Sequence, residues 1–138
     1  EPQCALGKRL DVSGASSANG ANVNSWEANG NAAQRWKAYD LGGGLWGFEP
    51  QCALGKRLDV SGASSANGAN VNSWPENGNA AQKWRAIAAG LDTFEFEPQC
   101  APGKRLDVSG ASSANGANVN SWEANGNAAQ KWKAIRIN

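Results

Sequence analysis

GKRLDVSGASSANGANVNSW, a stretch of twenty residues, occurs three times without a change, at residues 7–26, 55–74 and 103–122. Successive copies begin 48 residues apart. A unit this short cannot bury an apolar face alone, so it must pack against its sister copies. The 138 residues therefore predict a single domain of three units, 1–48, 49–96 and 97–138, arranged around a pseudo-threefold axis.

Each copy alternates short apolar runs with polar turns, and this pattern predicts strands. In the first copy the runs are 10–12 and 23–26, separated by a segment rich in Ser, Gly and Asn. An Asn-Gly-Asn turn then leads to a third run at 34–38, and a Gly-rich connector leads to a fourth at 45–48. No stretch keeps a helical period. The chain is predicted to be all-β, with about four short strands in each unit and about twelve in total.

Composition argues against several classes of function. Thirteen basic and twelve acidic residues give a net charge of +1, without the basic stripe that binding nucleic acid requires. No apolar run is long enough for insertion into a membrane. Histidine, the commonest general base and metal ligand, is absent, and no nucleophile elbow or phosphate-binding loop is visible. We therefore expect no enzyme, no catalytic residues and no cofactor, and, for a natural protein already processed before Glu1, a secreted location.

One cysteine occupies the same position in every copy: Cys4, Cys52 and Cys100. Because the number is odd, at least one thiol stays unpaired within the chain. Three thiolates that converge on the axis could bind a soft metal such as zinc, but nothing in the sequence supplies a fourth ligand. The simpler interpretation is three small buried apolar side chains, and it predicts no metal site.

Three motifs recur in register in all copies: Leu-Asp-Val at 10–12, Val-Asn-Ser-Trp at 23–26 and Gln-x-Trp at 34–36 in the first copy. Their order resembles the repeat of ricin B-chain-type lectins, and the resemblance covers most of the chain. It implies a β-trefoil, in which a closed six-stranded barrel is capped by three hairpins. It also implies that Trp36, Trp84 and Trp132 lie in the shared core.

The resemblance further implies carbohydrate binding at up to three equivalent sites, with a galactose-like mono- or oligosaccharide or a glycoconjugate as partner. An aromatic ring would stack on the C–H face of the sugar, while a carboxylate and amides bind its hydroxyls. The predicted sugar-binding residues are Asp11, Asn24, Trp26 and Gln34; Asp59, Asn72, Trp74 and Gln82; and Asp107, Asn120, Trp122 and Gln130. Gln34 and its equivalents are also expected to hold a turn or the neighbouring aspartate by hydrogen bonds.

Two departures from the family pattern bear on this prediction. The asparagine that normally precedes Gln-x-Trp in galactose sites is alanine here, at Ala33, Ala81 and Ala129. A lost hydrogen bond costs roughly 0.5–1.5 kcal/mol, so we expect weak galactose binding or a different sugar, unless the nearby Asn31, Asn79 and Asn127 substitute. In the family pattern a half-cystine precedes Leu-Asp. Here that position is arginine, at Arg9, Arg57 and Arg105, so the disulfide at this place is absent.

Two other interpretations of these features compete with sugar binding. Asp11 beside a Ser-Gly turn is also typical of an aspartate that caps its own turn. The exact repetition indicates either a recent duplication or deliberate symmetrisation, so a symmetric scaffold without a ligand is the competing function. Pro75-Glu76 replaces Glu-Ala beside one site, which predicts a stiffer rim there.

The third copy has no counterpart of the fourth strand. We therefore expect a gap or an exposed edge where the chain termini meet, and self-association through that edge is a further prediction.

Overall fold

Strands form along each of the predicted runs in the computed structural model, which describes residues 1–137. The strands are β1 (Lys8–Val12), β2 (Ala21–Glu27), β3 (Trp36–Gly42), β4 (Leu45–Pro50), β5 (Lys56–Val60), β6 (Ala69–Pro75), β7 (Trp84–Gly90), β8 (Thr93–Pro98), β9 (Lys104–Val108), β10 (Ala117–Glu123) and β11 (Trp132–Lys133). The first two copies contribute four strands each and the third contributes three. The predicted all-β class is confirmed, and β4 and β8 run across the unit boundaries drawn from the repeats.

Two short 3-10 turns per copy were not predicted. They cover Ser13–Ala15 and Ala32–Gln34 in the first copy, and they recur in the other two. Gln34 was expected within the third strand, which was wrong, because that strand begins at Trp36. The turn forms because the Asn31 side chain accepts a hydrogen bond from the N–H of Ala33, at 2.8 Å, and so caps it.

Six strands form what we call the hairpin sheet, made of the antiparallel pairs β1–β2, β5–β6 and β9–β10. The second strand of each hairpin also pairs with the second strands of the other two hairpins. Where these strands meet, the amides of Asn22, Asn70 and Asn118 hydrogen-bond in a ring, at 2.8–2.9 Å. The ring joins all three copies and marks the pseudo-threefold axis.

The other five strands form the barrel sheet, in the order β11-β8-β7-β4-β3. Its hairpins β3–β4 and β7–β8 are joined by pairing of β4 with β7, and β8 pairs with β11. With the hairpin sheet as its cap, this is the β-trefoil arrangement that the resemblance implied.

The start of the chain supplies part of the strand that the third copy lacks. Pro2 forms a bridge with Trp132, and the Lys133 N–H donates to the carbonyl of Glu1, at 2.8 Å. Glu1-Pro2 thus occupies the place that Glu49-Pro50 takes at the end of β4. Within residues 1–137, however, β3 pairs only with β4, so an edge remains on its other side, as expected.

The core lies between the two sheets and consists mainly of valine, with alanine, leucine and tryptophan. The valines of the repeated stretch, such as Val12 and Val23, are fully buried in every copy. The core prediction for the last tryptophan of each unit is confirmed for Trp84 and Trp132, which are 0% and 4% exposed. Trp36 packs against the same cluster but is only half-buried, because it lies at the open edge of β3.

The arginines that replace the half-cystines form ion pairs. Arg57 lies 3.1 Å from Glu49, and Arg9 makes the equivalent contact with Glu1 at 3.3 Å. Charge pairing therefore takes the place of a disulfide at these positions.

None of the helical segments among residues 1–137 is long and apolar enough to span a bilayer.

Candidate functional site

The β1–β2 hairpin brings the predicted carboxylate and amide of the first copy together. Asp11 lies opposite Asn24 in the strand register, and Arg9 lies opposite Trp26. Because side chains alternate along a strand, Asn24 and Trp26 project from the same face of β2. The repeated sequence makes the same pairs in the other two copies, Asp59 with Asn72 and Asp107 with Asn120.

A shallow pocket of about 440 Å³ opens at this place in the first copy. Three of the four predicted residues of that copy, Asp11, Asn24 and Trp26, line it, together with residues of the two 3-10 turns and the Asn-Gly-Asn turn. The complete lining is Asp11, Ser13, Gly14, Ala15, Asn24, Trp26, Asn29, Asn31 and Ala33. The pocket is therefore formed by one hairpin and the two turns that follow its strands.

The aspartate in the pocket is buried but has no protein partner. Asp11 is 8% exposed and Asp59 is 6% exposed, and within residues 1–137 no hydrogen bond reaches either carboxylate. Its expected alternative role as a cap of the Ser-Gly turn is therefore wrong, since that turn has no side-chain cap. Burial raises the pKa of both carboxyl groups to about 6. Such a group is stabilised by any ligand that donates hydrogen bonds to it.

Asn24 presents a second acceptor without a partner. Its Oδ1 atom is buried and unpaired among the described residues, as are the equivalent atoms of Asn72 and Asn120. Buried polar atoms in proteins are almost always satisfied, so an unpaired one calls for an explanation. The pocket of the first copy thus contains two acceptors without a protein donor, a carboxylate and an amide oxygen.

Trp26 provides an apolar platform beside these acceptors. It is 37% exposed, and Trp74 and Trp122 are 40% and 37% exposed. The prediction that these three tryptophans are partly exposed is confirmed. A large ring left accessible next to buried acceptors can contact one face of a flat ligand while the polar groups bind its edge.

Gln34 lies behind the pocket and braces it. Its Nε2 donates to the carbonyl of Glu27, at 2.9 Å, and its Oε1 accepts from the N–H of Asn29, at 3.0 Å. The expected turn-holding role is thus confirmed, and it recurs at Gln82 and Gln130. Direct contact of these amides with a sugar stays a prediction. In the third copy burial raises the pKa of Asp107 to about 6, and the nearby amide of Gln130 acts to lower it.

The alanine that replaces the family asparagine forms a small apolar wall. Ala33 is buried in the pocket lining and offers no hydrogen bond from its side chain. Asn31 does line the pocket, but its Oδ1 already accepts from the Ala33 N–H. Only the amide nitrogen of Asn31 is thus left to replace the missing donor.

Several lining residues were not predicted from the sequence. Ser13, Gly14 and Ala15 line the pocket through a turn in which Gly14 and Ala15 have φ of 63° and 52°. Asn29 lines it as well, and the Asn-Gly-Asn motif was the signal that could have identified it. Its role was not predicted because a turn motif alone does not show which way the side chains point.

The cysteines do not converge on the axis, so that alternative was wrong. Among residues 1–137, no three acidic or cysteine side chains lie close enough together to hold a metal ion. Each thiol instead lies between two copies: the Cys52 Sγ is 4.0 Å from the carbonyl of Ser16, beside the pocket of the first copy. Burial raises the pKa of Cys52, and the nearby charge of Asp11 raises it further.

A smaller cavity of about 200 Å³ lies elsewhere, between Tyr39 and Lys83. Two cations lie over the Tyr39 ring, Lys37 at 5.1 Å and Arg57 at 4.5 Å from its centre. Cations already contact this ring. The cavity depends on Tyr39, the single tyrosine of the chain, whereas the hairpin pocket is built from residues present in every copy. We take the hairpin pocket as the candidate site.

The model of the family described as ricin-type beta-trefoil lectin domain-like matches residues 3–74 and 51–122. The chain belongs to this family. The ricin-type β-trefoil lectin-like domain therefore accounts for most of the molecule, and the resemblance drawn from the three motifs is confirmed. No curated protein sequence matches the chain.

Solved structures share the same fold. ThreeFoil, a designed 3-fold symmetric protein, is 35% identical with a TM-score of 0.94, over 99% of this chain and 95% of that one. The exo-beta-1,3-galactanase 1,3Gal43A from Clostridium thermocellum is 28% identical with a TM-score of 0.92, but the 99% of this chain that aligns spans only 29% of that enzyme. The ricin B-like lectin of Macrolepiota procera, in complex with lactose, is 19% identical with a TM-score of 0.74, over 90% of this chain and 84% of that one.

Proposed function

We propose that this ricin-type lectin-like domain binds a galactose-like sugar at up to three equivalent sites, without catalysing a reaction. The observation that carries the proposal is the pairing, in each copy, of two buried acceptors with an exposed tryptophan. A sugar supplies the complementary groups, since its adjacent hydroxyls donate to Asp11 and Asn24 while its C–H face covers Trp26. A monosaccharide also fits a shallow pocket of this volume.

Galactose and lactose are the sugars to test first. Lactose is the ligand in the complex of the Macrolepiota procera lectin, which shares the fold. Because Ala33 takes the place of a hydrogen-bonding asparagine, we expect each site to bind weakly, with dissociation constants near the millimolar range. Three sites on one rigid body would then act together on a multivalent glycan, with a gain of roughly a hundredfold or more when the geometry allows.

The test is a titration of tryptophan fluorescence with lactose, galactose and glucose. The matched control is the triple variant Asp11→Asn/Asp59→Asn/Asp107→Asn, which keeps the size of each side chain and removes its charge. We expect a saturable change in the parent with lactose and galactose, a smaller change with glucose, and loss of all three responses in the triple variant.

A second candidate function is a symmetric scaffold that binds no ligand. The unbroken repetition of twenty residues and the similarity to the designed protein ThreeFoil favour it. Flat titrations with every sugar up to roughly ten millimolar, in a parent protein that is folded by circular dichroism, would reject the sugar sites and support the scaffold.

A further inference from the structure

Each platform tryptophan lies against a turn that belongs to a different copy. A methyl group added to Gly116 would lie 3.5 Å from the Cζ3 atom of Trp26. In the same way Trp122 lies against Gly68, and Trp74 lies against Gly20, both at 3.6 Å. These glycines have φ between 81° and 86°, a conformation that favours glycine, so the close approach and the turn depend on the same residue.

The residue that precedes this glycine forms a hydrogen bond next to the platform. The Oδ1 of Asn115 accepts from the N–H of Glu27, at 2.9 Å, and Glu27 directly follows Trp26. The Oδ1 of Asn67 accepts from the N–H of Glu123, also at 2.9 Å, directly after Trp122. The third copy thus holds the platform strand of the first, and the second copy holds that of the third.

The second copy cannot form this bond. The residue after Trp74 is Pro75, which has no N–H to donate, so Asn19 of the first copy has no equivalent donor. The backbone contact at this place is kept, because the Gly20 N–H still donates to the carbonyl of Ser73, at 2.8 Å. At this site the ring of Pro75 restricts the backbone that follows the tryptophan. At the other two sites the hydrogen bond to the asparagine side chain restricts it.

We propose that Asn115 and Asn67 are positioning residues for the sugar sites of the neighbouring copies. The sites at Trp26 and Trp122 are then composite and depend on another copy, whereas the site at Trp74 is independent of Asn19. This inference rests on the proposed sugar binding. Its physical basis is that a ring fixed before the ligand arrives loses less conformational freedom on binding.

The test uses three proteins that each keep one sugar site, made by Asp→Asn substitution at the other two. In the protein that keeps Asp11, Asn115→Ala should weaken lactose binding by about threefold to tenfold, the usual effect of one hydrogen bond. In the protein that keeps Asp107, Asn67→Ala should do the same. In the protein that keeps Asp59, Asn19→Ala should leave the dissociation constant unchanged. All three asparagines are exposed, so each variant is expected to fold.

Two further variants separate positioning from general damage. Asn115→Asp keeps the accepting oxygen and should restore most of the lactose affinity lost in Asn115→Ala. Pro75→Glu introduces an N–H beside Trp74, so in that background Asn19→Ala should weaken lactose binding as Asn115→Ala does at the first site. This double-mutant cycle measures the bond itself.

A readout without sugar accompanies these titrations. Hydrogen exchange of the Glu27 amide, followed by NMR, should be faster in Asn115→Ala than in the parent. Unchanged lactose binding in Asn115→Ala, with a parent that does bind, would overturn this inference alone. Equal losses for Asn19→Ala and Asn115→Ala would overturn it too. A parent that binds no lactose would remove the proposed function together with the inference.

Discussion

The hairpin sheet and the barrel sheet are built from the same three copies, but only the hairpin sheet keeps the threefold symmetry closely. In the hairpin sheet, Val12, Val60 and Val108 are all fully buried, and the asparagine ring joins the copies evenly. In the barrel sheet, Trp84 is fully buried while the equivalent Trp36 is half-buried. Identical residues thus produce identical sites only where their neighbours are also identical.

The largest effect is expected from removing the last tryptophan of a unit, because its burial differs between the equivalent residues Trp84 and Trp36. Trp84→Ala should lower the free energy of unfolding by about 3–5 kcal/mol, since it empties a fully buried position. Trp36→Ala should cost clearly less, because its ring is already partly exposed. Urea unfolding of both variants measures the difference. Equal losses would show that the barrel is as closed at β3 as at β7.

The three site aspartates should make stability depend on pH in an unusual direction. Burial raises the pKa of each to about 6, so between the unfolded value of 3.8 and 6 the folded protein binds more protons. The free energy of unfolding should therefore rise as pH falls from about 6 to 4.5, on the order of 1 kcal/mol per aspartate. Sugar binding should weaken over the same range, because the protonated carboxyl is a poorer acceptor.

The triple Asp→Asn variant isolates this effect. It should be more stable than the parent at pH 7 and should lose the rise, which urea titrations at several pH values measure. The window ends near pH 4.5, because below it Glu49 changes the free energy of unfolding in the opposite direction. Burial acts to raise the pKa of Glu49, but hydrogen bonds from Gly55 and Tyr39 and the charge of Arg57 hold that pKa below its ordinary value. A triple variant with the same pH profile as the parent would contradict the assignment to these aspartates.

A smaller effect is expected at the ion pairs that replace the disulfides. Glu49 is buried and binds Arg57, the Gly55 N–H and the Tyr39 hydroxyl, so Glu49→Gln should cost about 1–3 kcal/mol. Glu1→Gln removes an equivalent carboxylate that lacks the tyrosine contact, and it should cost less. Thermal unfolding of the two variants measures both losses of stability and so compares the two ion pairs. A larger loss for Glu1→Gln would reverse the proposed order.

The smallest effect concerns self-association, which stays a prediction. The outer edge of β3 has no strand partner among residues 1–137, and exposed edges tend to pair with other chains. We expect weak association that light scattering detects as a rise in mean mass with concentration. Ala38→Pro is the matched variant: it removes the N–H that faces this edge, since the N–H of the equivalent Ala86 faces β4 and donates to the carbonyl of Gly44. A constant monomer mass at all concentrations would exclude the edge as an interface.

Three residues of the candidate site were predicted from the family resemblance, and they lie within one hairpin. Asp11, Asn24 and Trp26 are close in the chain, and the register of two adjacent strands brings them together. Asn29 and the Ser13–Ala15 turn were missed, since their part in the pocket depends on how two turns fold over the hairpin. The role of Asn115 lay further out of reach, because it acts on a residue 88 positions away.

The sequence by itself determined the all-β class and the three repeats, because these follow from local patterns repeated in register, and its resemblance to ricin-type lectins predicted the candidate acceptors and platforms. Only the tertiary structure decided which tryptophan is left half-buried, where the thiols lie and which copy holds each platform. Those properties depend on contacts between copies. Identical stretches carry no information about which neighbour each one meets, and a single Pro75 is enough to make one contact differ from its equivalents.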